Sequence, residues 1–199
     1  MQKKFFLLLI FVHILLAFCF LSDLSFWVMF TITFTLLSIA VIRYGQMDSK
    51  SFSLLNITIA VLSGLLMYGL FWIGKTGSAM LFPTQLTDVA ALYTKVQPQL
   101  AWHYFALFLI VIPGEELFWR GYIQKKIESE VENKLLVIVI SSLLYMSANI
   151  YTLNPLFLLA TFAGGMVWGA LYMWNRNILL TILSHLVFNL FLLVLYPIF

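Results

Sequence analysis

Charged residues are scarce in this sequence. Asp, Glu, Lys and Arg make up only 10% of its 199 residues, and 63% are hydrophobic. Average soluble domains have about 25% charged and about 45–50% apolar residues, so these charges are too few to cover a soluble surface. The net charge of +3 is too small to indicate a nucleic-acid partner. The composition therefore predicts a protein that is solvated by a lipid bilayer.

Cysteine is almost absent as well. The single residue, Cys19, excludes an intrachain disulfide. It follows an apolar run, but the large Phe18 precedes it where lipoprotein cleavage needs a small residue, so we expect a buried apolar side chain. The same run follows Lys3 and Lys4, as in a signal peptide, but no small-x-small cleavage site comes after it. We therefore expect the first segment to be retained as a transmembrane helix.

Long apolar segments predict an all-α fold, a polytopic transmembrane helical bundle with about seven spans. Each segment is about 17–23 residues long, enough to cross about 30 Å at 1.5 Å per residue. The long connection 75–101 contains a stretch, Val89–Lys95, that could form a short surface helix or a lid. The seven predicted spans are 5–21, 24–42, 53–74, 102–124, 135–153, 156–174 and 178–198.

The positive charges predict the orientation of the bundle. With the N-terminus in the cytoplasm, eight of the 11 Lys and Arg residues fall on the cytoplasmic side and two on the other side, in agreement with the positive-inside rule. We expect a multi-pass protein of the cell membrane with its C-terminus outside. We expect one integrated membrane domain, with three spans and a loop in 1–100 and a four-span core in 101–199. The predicted cytoplasmic residues are Lys3, Lys4, Arg43, Lys50, Lys125, Lys126, Lys134 and Arg176; Lys75 and Lys95 are on the other side.

Three ionisable residues interrupt the fourth apolar segment: Glu115, Glu116 and Arg120. A charge at the centre of a membrane helix costs about 2.5–3.5 kcal/mol, so such residues are candidates for function. Glu116 and Arg120 are four residues apart on one helical face and can pair. Glu115 is turned about 100° away, which leaves it unpaired and makes it a candidate general base. The alternative is a structural ion pair beside a glutamate that reaches the membrane surface.

Polar pairs with the same spacing occur in two other segments. Tyr145 and Asn149 are four residues apart in the fifth segment, as are His185 and Asn189 in the last. Counted from the cytoplasmic helix ends at 1.5 Å per residue, Glu115 lies ~14 Å deep, His185 ~11 Å, Asn189 ~17 Å and Asn149 ~21 Å. These depths predict one shared cavity, which we expect to open toward the cytoplasmic side.

Two of these motifs resemble signatures of a known family. The segment 115–120, Glu-Glu-Leu-Phe-Trp-Arg, is similar to the EExxxR signature of the CPBP family, and 185–189, His-Leu-Val-Phe-Asn, is similar to its HxxxN signature. That family groups the type II CAAX prenyl endopeptidases with bacteriocin-processing and self-immunity (Abi) proteins. The resemblance covers about 100–195.

The resemblance implies a helical bundle with a conical cavity and a role for each matched residue. Glu115 would be the general base that activates a water molecule. Glu116 and Arg120 would support it. His185 and Asn189 would stabilise the oxyanion. Removing one such hydrogen-bond donor typically lowers the reaction rate by about 10²–10³.

The chain departs from the family at its second motif, FxxxH. The matching residues are Tyr145 and Asn149. Asparagine can orient a water molecule, so Asn149 stays among the candidate catalytic residues, but it cannot accept a proton or serve as a good metal ligand. Because a catalytic zinc usually has three histidine-rich protein ligands, we expect no cofactor, and a divalent metal stays an open alternative.

Three functions remain open from the sequence. The first is an intramembrane endopeptidase of the CPBP/CAAX type that cuts a membrane-associated peptide or protein near the cytoplasmic face. The second is a catalytically impaired relative acting as a membrane scaffold, a regulator or a bacteriocin self-immunity protein. The third is a transporter or channel that uses the glutamates as a proton site, for which the sequence offers no repeat and no paired broken helices. The expected partners are membrane lipid and a peptide substrate.

Overall fold

The computed structural model describes residues 2–44 and 52–199. Within these ranges seven helices are long and apolar enough to cross a membrane, and no strand occurs. The predicted all-α polytopic bundle is confirmed. The predicted cytoplasmic connection around Lys50 lies in 45–51, outside the described residues.

The residues that the structure describes form seven long helices and one shorter helix, α4, between the third and fourth spans. Within α5, π-helical turns occur at Leu107–Val111 and Leu117–Gln124, and α8 finishes in a π-helical turn at Phe191–Leu195. The helices are α1 Gln2–Leu21, α2 Phe26–Tyr44, α3 Leu54–Leu81, α4 Pro83–Val96, α5 Ala101–Glu128, α6 Lys134–Ala148, α7 Pro155–Asn175 and α8 Ile178–Leu195.

The helices begin where the sequence offers capping side chains. The side chains of Ser53, Asn133, Asn154 and Asn177 each accept a hydrogen bond from a backbone N–H in the first turn of α3, α6, α7 and α8. Such caps satisfy N–H groups that have no partner within the helix. These four polar residues therefore fix the positions at which the apolar runs become helical.

Two helices extend beyond their predicted limits. The third span was predicted to end near residue 74, but α3 continues to Leu81, and proline first appears at Pro83. The fourth was predicted to end near 124, but α5 continues to Glu128. Lysine and glutamate are good helix formers, so the charges that mark the membrane boundary do not end the helix.

The two ends of the bundle have different compositions. We call the end at which α5 finishes and α6 begins the basic end, because it carries Lys125, Lys126 and Lys134. The opposite end carries α4, and we call it the α4 end. Since successive spans run in opposite directions, α8 begins at the basic end and finishes at the α4 end.

Close helix contacts are made through glycine. A Cβ atom added to Gly64 on α3 would be much closer to the Ser184 carbonyl oxygen on α8 than the van der Waals contact distance allows, and one on Gly165 of α7 would meet Ser142 of α6 at 2.8 Å. Small residues allow membrane helices to approach closely where no hydrophobic driving force acts between them. Gly64 thus sets the position of α8 directly beside His185.

Candidate active site

Glu115 and Glu116 lie between the two π-helical turns of α5. Pro113 lies just after the first turn. Proline has no backbone N–H and its ring crowds the preceding helical turn, so the wider π-helical turn accommodates it. Such turns are frequent at functional sites because they redirect side chains locally. The local sequence therefore presents two adjacent carboxylates in the middle of a membrane span.

Glu116 and Arg120 form a fully buried ion pair. Arg120 Nη1 lies 3.2 Å from Glu116 Oε1, and the side chains are 2% and 0% exposed. The guanidinium also donates to the Gly164 carbonyl at 3.4 Å, and its Cζ lies 4.9 Å from the Tyr145 ring centroid and 5.5 Å from that of Trp168. Aromatic faces attract a desolvated cation. The four-residue spacing predicted this pair.

His185 joins the same buried group from α8. Its Nδ1 lies 2.7 Å from Glu116 Oε1, and its ring stacks on Trp168 with centroids 3.7 Å apart. A carboxylate that is paired with a guanidinium accepts hydrogen bonds, so we assign the ring hydrogen to Nδ1. The other nitrogen, Nε2, then lies toward Glu115, 3.9 Å from its Oε2.

The hydrogen bond between His185 and Glu116 was missed from the sequence. The two residues are on different helices and are not related by any helical spacing. Their similar predicted depths were the available signal, but depth does not indicate which of two adjacent carboxylates faces the imidazole.

Glu115 is the carboxylate that lines the cavity. Its side chain is 13% exposed, against 0% for Glu116. The Tyr145 hydroxyl donates to Glu115 Oε1 at 3.4 Å. The other oxygen, Oε2, is the one near His185 Nε2. Glu115 therefore has polar neighbours on both oxygens, whereas the Arg120 guanidinium is bound to Glu116.

Two asparagines also line the cavity. Asn149 follows the last residue of α6, and its Nδ2 donates to the Tyr145 carbonyl at 3.0 Å. Asn189 Nδ2 donates to the His185 carbonyl at 3.3 Å. An amide has two N–H groups and one carbonyl oxygen, so each side chain uses one N–H on its own helix and keeps polar capacity for a ligand.

The cavity has a volume of about 400 Å³ and is lined mainly by apolar side chains. Its polar lining includes the candidate residues Glu115, Tyr145, Asn149, His185 and Asn189, together with Lys75, Ser78 and Thr161. The sequence-based expectation that the candidate residues from three separate helices share one cavity therefore agrees with the structure. Their catalytic roles stay a prediction.

The direction of the cavity differs from the prediction. We expected it to open toward the end that carries Lys125 and Lys126, but its lining extends the other way, to Lys75 and Phe199 at the α4 end. That expectation is wrong for two physical reasons. The buried pair of Glu116 and Arg120 lies on the basic side of Glu115. α6 is α-helical only to Ala148, after which a 3₁₀ turn follows at Ile150–Thr152.

The helix α4 covers this end of the cavity. Leu86, Val89, Tyr93 and Val96 line the cavity from one face of α4, at the three- and four-residue spacings of an amphipathic helix. It is longer than the predicted Val89–Lys95. α4 also packs against α2, α3 and α7, so it closes the cavity at this end of the bundle.

Among the described residues, no group of three or more His, Cys, Asp or Glu side chains is arranged to hold a metal ion. Glu115 and His185 are near neighbours. The third acidic or imidazole group in reach, Glu116, is already bound to Arg120 and His185.

Comparison with known families locates this site within a recognised sequence pattern. Residues 97–191 match the family model described as type II CAAX prenyl endopeptidase Rce1-like. That match covers 95 of the 199 residues and agrees with the resemblance inferred from the two signatures. No curated protein and no solved structure gives a significant match to the sequence.

Replacing Arg120 with glutamine should strongly destabilise the protein. The change leaves the Glu116 carboxylate buried without its guanidinium, and breaking a buried pair typically costs about 3–5 kcal/mol. The matched control is Arg176→Gln, because Arg176 pairs with Glu128 at the basic end with side chains 22% and 24% exposed; exposed pairs contribute about 0–1 kcal/mol. Thermal unfolding in detergent measures both, and equal losses would contradict a special role for the buried pair.

Proposed function

We propose that this chain is a membrane endopeptidase in which Glu115 activates a water molecule. The proposal rests on the different surroundings of the two adjacent carboxylates, Glu115 and Glu116. Glu116 is neutralised by Arg120 and bound by His185, while Glu115 faces the cavity between Tyr145 and His185. A general base must reach the proton it removes, and of this carboxylate pair Glu115 is the one that lines the cavity.

The attacking water would sit between Glu115 and His185. Glu115 Oε2 and His185 Nε2 are 3.9 Å apart, too far for a direct hydrogen bond and suited to a bridging water. With its hydrogen on Nδ1 bound by Glu116, a neutral His185 presents a lone pair at Nε2. It can therefore accept a hydrogen bond from the same water that donates to Glu115.

The proposed step is hydrolysis of a peptide bond. The water oxygen attacks the carbonyl carbon while Glu115 takes a proton from the water, giving a tetrahedral intermediate with a negatively charged oxygen. Glu115 then gives the proton to the peptide nitrogen, the C–N bond breaks, and a carboxylic acid and an amine leave. Atoms and charge balance without another reactant.

We assign stabilisation of the oxyanion to Asn189 alone and not to the pair of His185 and Asn189. Its second amide N–H is free to donate because the first is bound to the His185 carbonyl. His185 could donate from Nε2 only if both its nitrogens carried protons. This differs from the pair of donors that the family resemblance implied, and it follows from the hydrogen bond between His185 and Glu116.

The orientation proposed from the charges has a consequence for access. If the basic end is cytoplasmic, the cavity extends toward the opposite face of the membrane, where Lys75 and α4 lie. A substrate would then reach Glu115 from that face or from the adjacent lipid leaflet. Its peptide bond must enter an apolar cavity that is already within the bundle.

A catalytically impaired scaffold is the second candidate, and Asn149 favours it. The Asn149 amide donates to a carbonyl of its own helix and cannot share a proton with a water. A protein with this site could still bind a peptide or partner helix in the cavity.

Replacing Glu115 with glutamine should abolish peptide cleavage, because the amide keeps the size of the side chain but cannot take the water proton. Loss of general acid–base catalysis typically reduces rates by about 10²–10⁴. The measurement is cleavage of a broad peptide library by purified protein in liposomes. Glu130→Gln is the control, since Glu130 is exposed and pairs with Lys126 at the basic end. Undiminished cleavage by the Glu115 variant would remove Glu115 from the mechanism, and no cleavage by any form would favour the scaffold.

Replacing Asn149 with histidine should raise the cleavage rate, because an imidazole at this position could both hold the water and share its proton. We expect an increase of up to about tenfold, a part of the usual general acid–base contribution. The same liposome assay measures it. A rate that falls below that of the native protein would mean that asparagine is the adapted residue.

A further inference from the structure

The α4 end of the cavity is bordered by the last four residues of this sequence. After α8 finishes at Leu195, the segment Tyr196–Phe199 turns against the bundle, and Ile198 and Phe199 line the cavity. Ile198 is only 8% exposed. A non-helical segment with bulky apolar side chains therefore already lies against this end of the cavity.

Side chains of α3 bind the backbone of that segment. Lys75 Nζ donates to the Ile198 carbonyl, and the ammonium lies 4.8 Å from the centroid of the Phe199 ring. The Tyr68 hydroxyl donates to the Tyr196 carbonyl at 2.9 Å. Hydrogen bonds to carbonyl groups do not depend on the side chain that follows, so this arrangement can bind other extended peptides in the same way.

Tyr93 of α4 completes this end of the cavity. Its ring centroid lies 5.4 Å from that of Phe199, and its hydroxyl donates to the Leu192 carbonyl at 2.7 Å. Burial raises the pKa of Tyr93 to about 12, so the hydroxyl stays a donor at physiological pH. The aromatic side chain of the segment is thus held between a cation on α3 and an aromatic ring on α4.

The Lys75 side chain lies in the cavity lining instead of extending into water. Long basic side chains near a membrane surface usually extend their charge into water. The Lys75 side chain lines the cavity and its ammonium binds a peptide carbonyl and an aromatic face. The matched lysine of the same connection, Lys95, is exposed and donates to the Phe20 carbonyl on α1.

We propose that the α4 end of the cavity is a peptide-binding subsite in which Lys75 and Tyr68 bind the backbone carbonyls of an extended segment with bulky apolar side chains. The chain's own Tyr196–Phe199 fills this subsite until such a peptide displaces it. The proposal rests on the proposed peptidase or scaffold function, because it names the class of peptide that enters the same cavity. Proline is tolerated next to the bound carbonyls, since Pro197 already occupies such a position.

Binding, rather than cleavage, tests this proposal separately from catalysis. The probe is a fluorescent peptide with the sequence Leu-Tyr-Pro-Ile-Phe, added to the Glu115→Gln protein in detergent. Combining Ile198→Ser with Phe199→Ser should empty the subsite and tighten binding of the probe about tenfold. The control combines Val194→Ser with Leu195→Ser, which removes apolar surface from exposed positions of α8 and should leave binding unchanged.

Adding Lys75→Ala to the protein with Ile198→Ser and Phe199→Ser, which we call the emptied protein, should weaken probe binding about tenfold. Hydrogen bonds from charged donors contribute about 1.5–3 kcal/mol. Lys95→Ala should have no effect. Equal binding by the emptied and control proteins, or equal binding with and without the Lys75 ammonium, would overturn the proposal. A protein that binds as expected but never cleaves in its native form would keep the subsite and reject the peptidase.

Discussion

The structure depends on the need to pair a fixed charge inside an apolar bundle. The Arg120 guanidinium is buried, and an unpaired charge there would be far more costly than any single apolar contact is favourable. Glu116 supplies the opposite charge, Gly164 on α7 supplies a carbonyl, and His185 on α8 binds the other side of the same carboxylate oxygen. One ion pair on α5 therefore ties together three helices.

The chemistry of the cavity follows from that arrangement. Because Glu116 is committed to Arg120 and His185, its neighbour Glu115 is left to face the cavity, and the His185 ring is oriented with Nε2 toward it. The same group lies on the basic side of Glu115. On the other side the cavity extends to the α4 end, where α4 covers it. Helix packing therefore decides which carboxylate faces the cavity and from which direction it is reached.

The sequence predicted the features that depend on helical spacing and on counting residues. The spans, the pair of Glu116 with Arg120 and the shared depth of Glu115, Asn149 and His185 all follow from a rise of 1.5 Å per residue and 3.6 residues per turn. It did not predict which carboxylate binds His185 or where the cavity leads. Those depend on how helices are rotated against one another and on where α6 ends, and residue depth carries no information about rotation.

The most direct test of this account is the side from which the cavity is reached. In protein with Cys19→Ala, a cysteine is placed at Asn149 in the cavity or, in a second protein, at the exposed Lys134 of the basic end. A small membrane-impermeant thiol reagent is then added to one side of sealed vesicles. We expect Asn149→Cys to react only from the side that does not label Lys134→Cys. Labelling of both positions from the same side would contradict it.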